Sequence, residues 1–173
     1  MSRAFVKSEA DLDARIALLD RTPDPDGRYR VNDFFCHADT WQPTMRRLTH
    51  DSDAVLMDLR SFSRDNRGCT YELRVLLDSV LVDRIVLIID ATTDRALLEE
   101  LLHDMYRSLA PTSPNLSPRA RSLQIFQIKS QSSHEIDALL LRLFASGAQH
   151  APERRNTAIA KPIAGQEGSP RFR

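Results

Sequence analysis

The stretch AVLMDL, from Ala54 to Leu59, decides the fold of this chain. It is apolar apart from Asp58, and it passes directly into a polar segment. A short run that is apolar almost throughout is typical of a strand buried on both faces of a parallel sheet. A second run of this kind, IVLII from Ile85 to Ile89, follows after a helical pattern. The two runs predict neighbouring strands joined by a helical crossover.

Working outward from these runs, the pattern predicts three more strands, each followed by a helix. They are Ala4–Val6, Tyr29–Cys36 and Ser122–Ile128, beside a third strand at Ala54–Leu59 and a fourth at Arg84–Ile89. Five strands that alternate with five helices favour an α/β fold, a doubly wound five-stranded parallel sheet with helices on both faces. We expect the strand order 2-1-3-4-5.

Helix starts are marked by residues that commonly cap a helix. Ser8 is expected to cap the first helix, Thr40 the second and Ser133 the fifth, whereas the third is expected to run from Cys69 to Val82. Residues 1–146 then form one domain. Residues 147–173 carry little apolar content and are expected to form a disordered tail.

Composition limits the classes of function. Hydrophobic residues make up 42% and charged residues 28% of the 173 positions, which is an ordinary globular composition. Basic and acidic residues number 24 each, so we expect no nucleic-acid partner. No apolar run approaches the roughly 20 residues of a membrane-spanning helix. Cys36 and Cys69 make no disulfide framework or metal-ligand cluster, so we expect no metal, no cofactor and a cytoplasmic location.

The candidate site lies at the carboxyl ends of the strands. In an open parallel sheet, ligands bind there, where the strand order reverses. For the order 2-1-3-4-5 this crevice lies between Lys7 and Ser8, after the first strand, and the segment Asp58–Glu72, after the third. The second segment offers Arg60, hydroxyl groups of Ser61 and Ser63, and the Asn66 amide.

Glu72 is the candidate catalytic residue, since a carboxylate in such a crevice can act as a nucleophile or stabilise an oxocarbenium-like centre. We expect it in the first turn of the third helix, where the helix dipole stabilises a carboxylate. The alternative is that Glu72 only improves the helix start. Three further features are better explained by packing or chance: the Cys36–His37 pair, Cys69 and Trp41.

The stretch Cys69-Thr70-Tyr71-Glu72-Leu73, which follows a serine-rich loop, resembles the "tryptophan-cysteine-x-x-glutamate-leucine" box of TIR domains. Gly68 stands where that family has tryptophan. The resemblance covers Asp53 to Leu73 in motif and the whole βα order in topology, and it implies a flavodoxin-like fold. A more distant resemblance, through Asp58, Gly68 and Glu72, is to nucleoside 2-deoxyribosyltransferases.

The two resemblances imply three alternative functions. Some TIR domains cleave the nicotinamide–ribose bond of NAD with this glutamate, which implies an NAD nucleosidase with Glu72 as the catalytic residue. Ser61, Ser63 and Asn66 would then orient the ribose, and Arg60 would meet phosphate. Other TIR domains are non-catalytic assembly modules, which implies a homo-oligomer formed through the α/β domain. The third alternative is a deoxyribosyltransferase-like enzyme.

Overall fold

Five strands alternate with five α-helices in residues 5–20, 22–117, 122–130 and 132–148, which are the residues described in the computed structural model. The strands are β1 (Phe5–Val6), β2 (Phe35–Cys36), β3 (Val55–Asp58), β4 (Ile85–Ile89) and β5 (Gln124–Gln127). The α-helices are α1 (Glu9–Ala17), α2 (Trp41–Asp51), α3 (Arg67–Ser79), α4 (Arg95–Arg107) and α5 (Ser133–Ala148). The predicted α/β alternation is confirmed.

The strands form two parallel sheets, and the predicted single five-stranded sheet is wrong. β1 pairs with β2, and β3, β4 and β5 pair in that order. The predicted neighbours are therefore confirmed except for the junction of β1 with β3. Within the described residues β1 is two residues long. It ends at Val6 because Ser8 caps α1 immediately after it, and its ladder is the pair Phe5–Phe35 and Val6–Cys36.

β4 is the centre of the three-stranded sheet, and all five of its side chains are buried. Ile85, Leu87 and Ile89 pack beneath α3 and α4, whereas Val86 and Ile88 pack beneath α5. Helices thus cover both faces of this sheet, as a doubly wound arrangement requires. Burying the five side chains stabilises the fold by roughly 2 kcal/mol each before the loss of chain entropy.

β3 is not buried on both faces as its apolar sequence predicts. Met57 is buried, but Leu56 is 41% exposed, and the described hydrogen-bond partner of β3 is β4 alone. Because β1 does not pair with it, β3 lies at the edge of its sheet. The predicted second strand is also too long, since Tyr29 and Val31 are exposed and only Phe35–Cys36 is paired.

Of the three predicted helix caps, Ser8 and Thr40 directly precede their helices, whereas Ser133 is already the first residue of α5. The Asp11 amide donates to the Ser8 hydroxyl (3.3 Å), which confirms Ser8 as the cap of α1. Thr40 precedes α2, but its hydroxyl accepts from the His37 amide (2.9 Å) and makes no cap bond. The Glu135 amide in α5 donates to Ser132 (3.4 Å), so the capping serine lies one residue before Ser133.

The connection from α4 to β5 contains a buried polar residue, Asn115, where the sequence suggested only a loop. Its amide group donates to the carbonyls of Leu77 and Val80 (2.8 Å each) and accepts from the Val82 amide (3.0 Å). One side chain thereby satisfies three backbone groups at the end of α3, where the helix stops and the chain turns into β4.

None of the helices in the described residues has the length and apolar character needed to cross a membrane. α5 continues to Ala148, two residues beyond the predicted domain boundary. The remainder of the predicted tail, from residue 149 onward, lies outside the described residues.

Candidate functional site

The segment between β3 and α3, called here the β3–α3 loop (residues 59–66), is anchored in the core. Leu59 and Phe62 are 1% and 2% exposed. The Leu59 amide donates to the Ile88 carbonyl (2.8 Å), and the Phe62 carbonyl accepts from the Asp94 amide (2.9 Å). The loop is therefore fixed against the end of β4 and the start of α4.

Ser61 adopts a left-handed backbone conformation with φ 59°. This region is unfavourable for a residue with a Cβ atom, and such strain persists only where surrounding contacts hold it. The contacts are a hydroxyl–hydroxyl bond of 2.8 Å to Thr92 and a 3.4 Å bond from the Ser61 amide to an Asp90 carboxylate oxygen. The Ser61 hydroxyl, expected to orient a ribose, thus holds the loop to the β4–α4 connection.

Asp90, at the end of β4, organises that connection. One carboxylate oxygen accepts from the Thr92 amide (3.0 Å) and the Thr92 hydroxyl (2.7 Å). These bonds, the Thr92 hydroxyl foremost, hold the pKa of Asp90 below its ordinary value. The cap of α4 is Asp94 instead, which accepts from the Leu97 amide (3.1 Å). The hydrogen bond between Thr92 and Ser61 of the serine-rich loop joins residues 31 positions apart, and the sequence does not predict it.

Asp58 and Arg60 form a two-pronged ion pair at the carboxyl end of β3. The Arg60 Nε and terminal nitrogen lie 2.9 Å and 2.6 Å from the two Asp58 oxygens. The hydrogen bond from Arg60 is the main cause of the lowered pKa of Asp58. Arg60 was expected to meet phosphate, but its guanidinium is already paired with the Asp58 carboxylate.

Ser63 and Asn66 set the start of α3. The Asn66 side-chain oxygen accepts from the Ser63 amide (2.8 Å) and the Ser63 hydroxyl (3.0 Å). This turn allows the helix to begin at Arg67, two residues before the expected Cys69. Glu72 consequently lies in the second turn of α3, and the prediction that it occupies the first turn is wrong.

Glu72 is half-buried, and none of the hydrogen bonds or ion pairs of the described residues engages its carboxylate. Burial raises the pKa of this carboxyl, with no compensating partner. The first-turn position would have had the opposite effect, because the helix dipole favours the ionised form. An isolated, partly desolvated carboxylate of this kind is typical of functional sites, although packing alone also produces it.

Gly68 lies one helical turn before Glu72 and leaves open space beside it. A Cβ atom built on Gly68 meets no atom within 4 Å. Residues four apart share one face of a helix, and their side chains lean toward its N-terminus. Open space therefore lies one helical turn before Glu72, on the face of α3 that the two residues share.

Cys69 lies on the neighbouring part of the same helix and packs against the core. Burial, and then the charge of Glu72, raises the pKa of its thiol. A thiol with a raised pKa is a poor nucleophile at neutral pH. Cys69 is thus a packing residue. The negative charges of Glu72 and Asp58 lie near enough to raise the pKa of its thiol further.

Lys7 and Ser8 are not brought to Glu72 by any described cavity. Both are exposed, and the Ser8 hydroxyl is used as the α1 cap. Ser8 lines a small cleft between α1 and α2 that also includes Val6 and Thr40. Glu72 does not line that cleft. The two walls of the predicted crevice follow strands of different sheets, since β1 and β3 are not paired.

The other candidates have structural partners. The His37 ring stacks on Phe5 at a centroid distance of 4.5 Å, and the Cys36 thiol faces the Phe34 carbonyl at 3.9 Å. Trp41 meets Tyr71 edge-on at 5.3 Å. Among the described residues there is no cluster of three or more histidine, cysteine, aspartate or glutamate side chains that could hold a metal ion.

Comparison with protein-family models, with curated proteins and with solved structures gave no match for this chain. The site is therefore interpreted from its geometry and from the resemblance carried by its motif.

Proposed function

We propose that this chain is a TIR-like N-glycosyl hydrolase in which Glu72 acts on the nicotinamide–ribose bond of NAD. The observation that carries the proposal is the isolation of Glu72: its carboxylate is half-buried and lacks a described partner, and open space lies one helical turn away beside Gly68. A partly desolvated carboxylate with a raised pKa is typical of functional sites.

The proposed reaction uses Glu72 in its ionised form. The bond between ribose C1 and the pyridinium nitrogen breaks, and its electron pair neutralises the nicotinamide ring as it leaves. The carboxylate stabilises the positive charge that develops at C1, after which water adds there and releases a proton. The products are nicotinamide and ADP-ribose. Because burial raises the pKa of Glu72 from its ordinary value of 4.5, the rate should rise with pH through that elevated pKa.

The test is nicotinamide release by the purified chain, at high protein concentration and with a crowding agent. Glu72→Gln and Glu72→Ala should abolish release. Glu99→Gln is the matched control, because Glu99 lies on the exposed surface of α4 in an ion pair with Arg95. Absence of release by the wild-type chain, together with absence of any NAD-induced thermal shift, would refute the proposal.

A second candidate, a non-catalytic assembly module, is favoured by the loop contacts. Arg60 is engaged by Asp58, Ser61 by Thr92, and Ser63 by Asn66. A loop whose polar groups already have partners in the protein is better suited to present a fixed surface than to receive a nucleotide. Self-association without turnover would favour this candidate. Release of base from deoxynucleosides, but not from NAD, would instead favour a deoxyribosyltransferase-like enzyme.

A further inference from the structure

A cleft of about 350 Å³ lies between α3 and α4, and oppositely charged residues line it. It is called here the α3–α4 cleft. Its lining residues are Arg64, Arg67, Thr70, Leu97, Glu100, Leu101 and Asp104. The arginines come from the end of the β3–α3 loop and the start of α3, whereas both carboxylates belong to α4.

The opposite charges do not neutralise each other within the molecule. The described ion pairs of α3 and α4 join other residues, Arg74 to Asp78 and Arg95 to Glu99. Within the described residues, the four charged side chains of the cleft make no ion pair, and all four are exposed. They remain available to an external partner.

The charges are displaced along the helices as well as across the cleft. α3 and α4 both begin at the carboxyl edge of the sheet, where Arg64 and Arg67 lie. Glu100 and Asp104 follow Arg95 by five and nine residues, which is about 7 and 14 Å along α4 at 1.5 Å per residue. The cleft therefore has a basic end and an acidic end.

We propose that the α3–α4 cleft is an isologous interface between two copies of this chain. A two-fold axis perpendicular to the helices reverses their direction, so the basic end of one copy meets the acidic end of the other. Each charged contact then occurs twice, as closed two-fold symmetry requires. Leu97 and Leu101 also line the cleft, and both pack against the core beneath it.

The charge pattern favours a second copy over an unrelated partner, because the surface is its own electrostatic complement. Two arginines are matched by two carboxylates, so a symmetric pair leaves no uncompensated charge. Complementary charge of this kind sets orientation and excludes incorrect partners. The interface stands independently of any enzymatic activity, since Glu72 does not line the cleft.

The experiment reverses the charge of one end at a time and measures the mass of the full chain in solution by sedimentation. Wild type should dimerise, and salt should weaken the dimer. Arg64→Glu with Arg67→Glu makes every charge of the cleft acidic, and Glu100→Lys with Asp104→Lys makes every charge basic. Each double variant should raise the dimer dissociation constant at least about tenfold through like-charge repulsion.

Mixing the two double variants should restore a dimer containing one copy of each, and the quadruple variant should restore the homodimer. Since all four positions are exposed, circular dichroism should show unchanged folding in every variant. A wild-type monomer at its highest soluble concentration would overturn the proposal. A dimer indifferent to all the reversals, or one that mixing fails to restore, would overturn it equally.

Discussion

The Ser61 hydroxyl lies 2.8 Å from the Thr92 hydroxyl, so the loop after β3 is tied directly to the loop after β4. Asp90 reinforces this tie by accepting from the Thr92 hydroxyl and from the Ser61 amide. The two loops at the carboxyl edge of the three-stranded sheet thus behave as one unit. This unit keeps Ser61 in its left-handed conformation and fixes the position from which α3 begins.

Two substitutions of Ser61 should distinguish the energetic cost of its backbone strain from the stabilisation that its hydroxyl hydrogen bond contributes. Ser61→Ala loses the bond and keeps the strain, so we expect a loss of about 1 kcal/mol in the free energy of unfolding. Ser61→Gly loses the same bond but adopts φ 59° without strain, and it should be about 1 kcal/mol more stable than Ser61→Ala. Urea unfolding measures both. Equal stability of the two variants would show that Ser61 is unstrained in solution.

Glu72 should lower the stability of the folded chain as pH rises. Its pKa is raised in the folded state by burial, so the folded chain binds a proton more tightly than the unfolded chain. The resulting stability is fully present below the ordinary value of 4.5 and is lost as pH increases toward the elevated folded pKa. Glu72→Gln removes this loss. We expect its thermal midpoint to exceed that of wild type at pH 7, by a margin that shrinks as pH falls toward 4.5.

Glu99→Gln provides the control for that measurement, because Glu99 is exposed and its surface ion pair contributes little. Its difference from wild type should stay small across the same pH range. A Glu72→Gln variant less stable than wild type at neutral pH would mean that the carboxylate has a favourable partner. That result would contradict the conclusion that Glu72 has no partner in the fold.

Asn115 should be one of the most sensitive polar residues of the chain. Asn115→Ala leaves the Val80 carbonyl and the Val82 amide without their partner inside the fold, whereas the Leu77 carbonyl keeps the Ser113 hydroxyl at 2.8 Å. Each buried unsatisfied group costs about 1–3 kcal/mol, so we expect a loss of at least about 2 kcal/mol. Asn32→Ala is the matched control, since Asn32 is exposed and bonds only the nearby Arg30 carbonyl (3.3 Å). Similar losses in chemical denaturation for both variants would contradict this assignment.

The central strand β4 could be predicted from the sequence because its apolar, buried residues are consecutive. The run from Ile85 to Ile89 is apolar at every position and is buried at every position. The same signal misled at Leu56, whose exposure depends on whether β1 pairs with β3. That pairing is a long-range event, and the local pattern of a two-residue strand does not determine it.

The candidate site was predictable as a location but not in its chemistry. Glu72 and the serine-rich loop could be found because they follow a buried strand and form a recognisable motif. The contact of Ser61 with Thr92 joins residues 31 positions apart, and the turn between Ser63 and Asn66 moved the start of α3. Glu72 is also half-buried, which its place in the local sequence pattern does not show. The direction of its pKa shift therefore required the structure.

Phe62 should decide whether the β3–α3 loop keeps its position. Its ring is 2% exposed and belongs to the same core as Leu59 and Leu73, while its carbonyl accepts from the Asp94 amide. Phe62→Ala leaves a cavity beneath the loop, and we expect a loss of about 3–5 kcal/mol in the free energy of unfolding. Phe62→Leu keeps most of the apolar volume and should lose clearly less.

The matched control is Phe144→Ala, because Phe144 is 69% exposed on α5 and its truncation should change stability by no more than about 0.5 kcal/mol. Urea unfolding compares the three variants with wild type, and hydrogen exchange of the Leu59 and Asp94 amides reports on the loop itself. Phe62→Ala should accelerate exchange of both amides, since each donates across the junction that the ring supports. Slow exchange at both amides in that variant would mean that the backbone bonds alone hold the loop, and the anchoring role of Phe62 would be wrong.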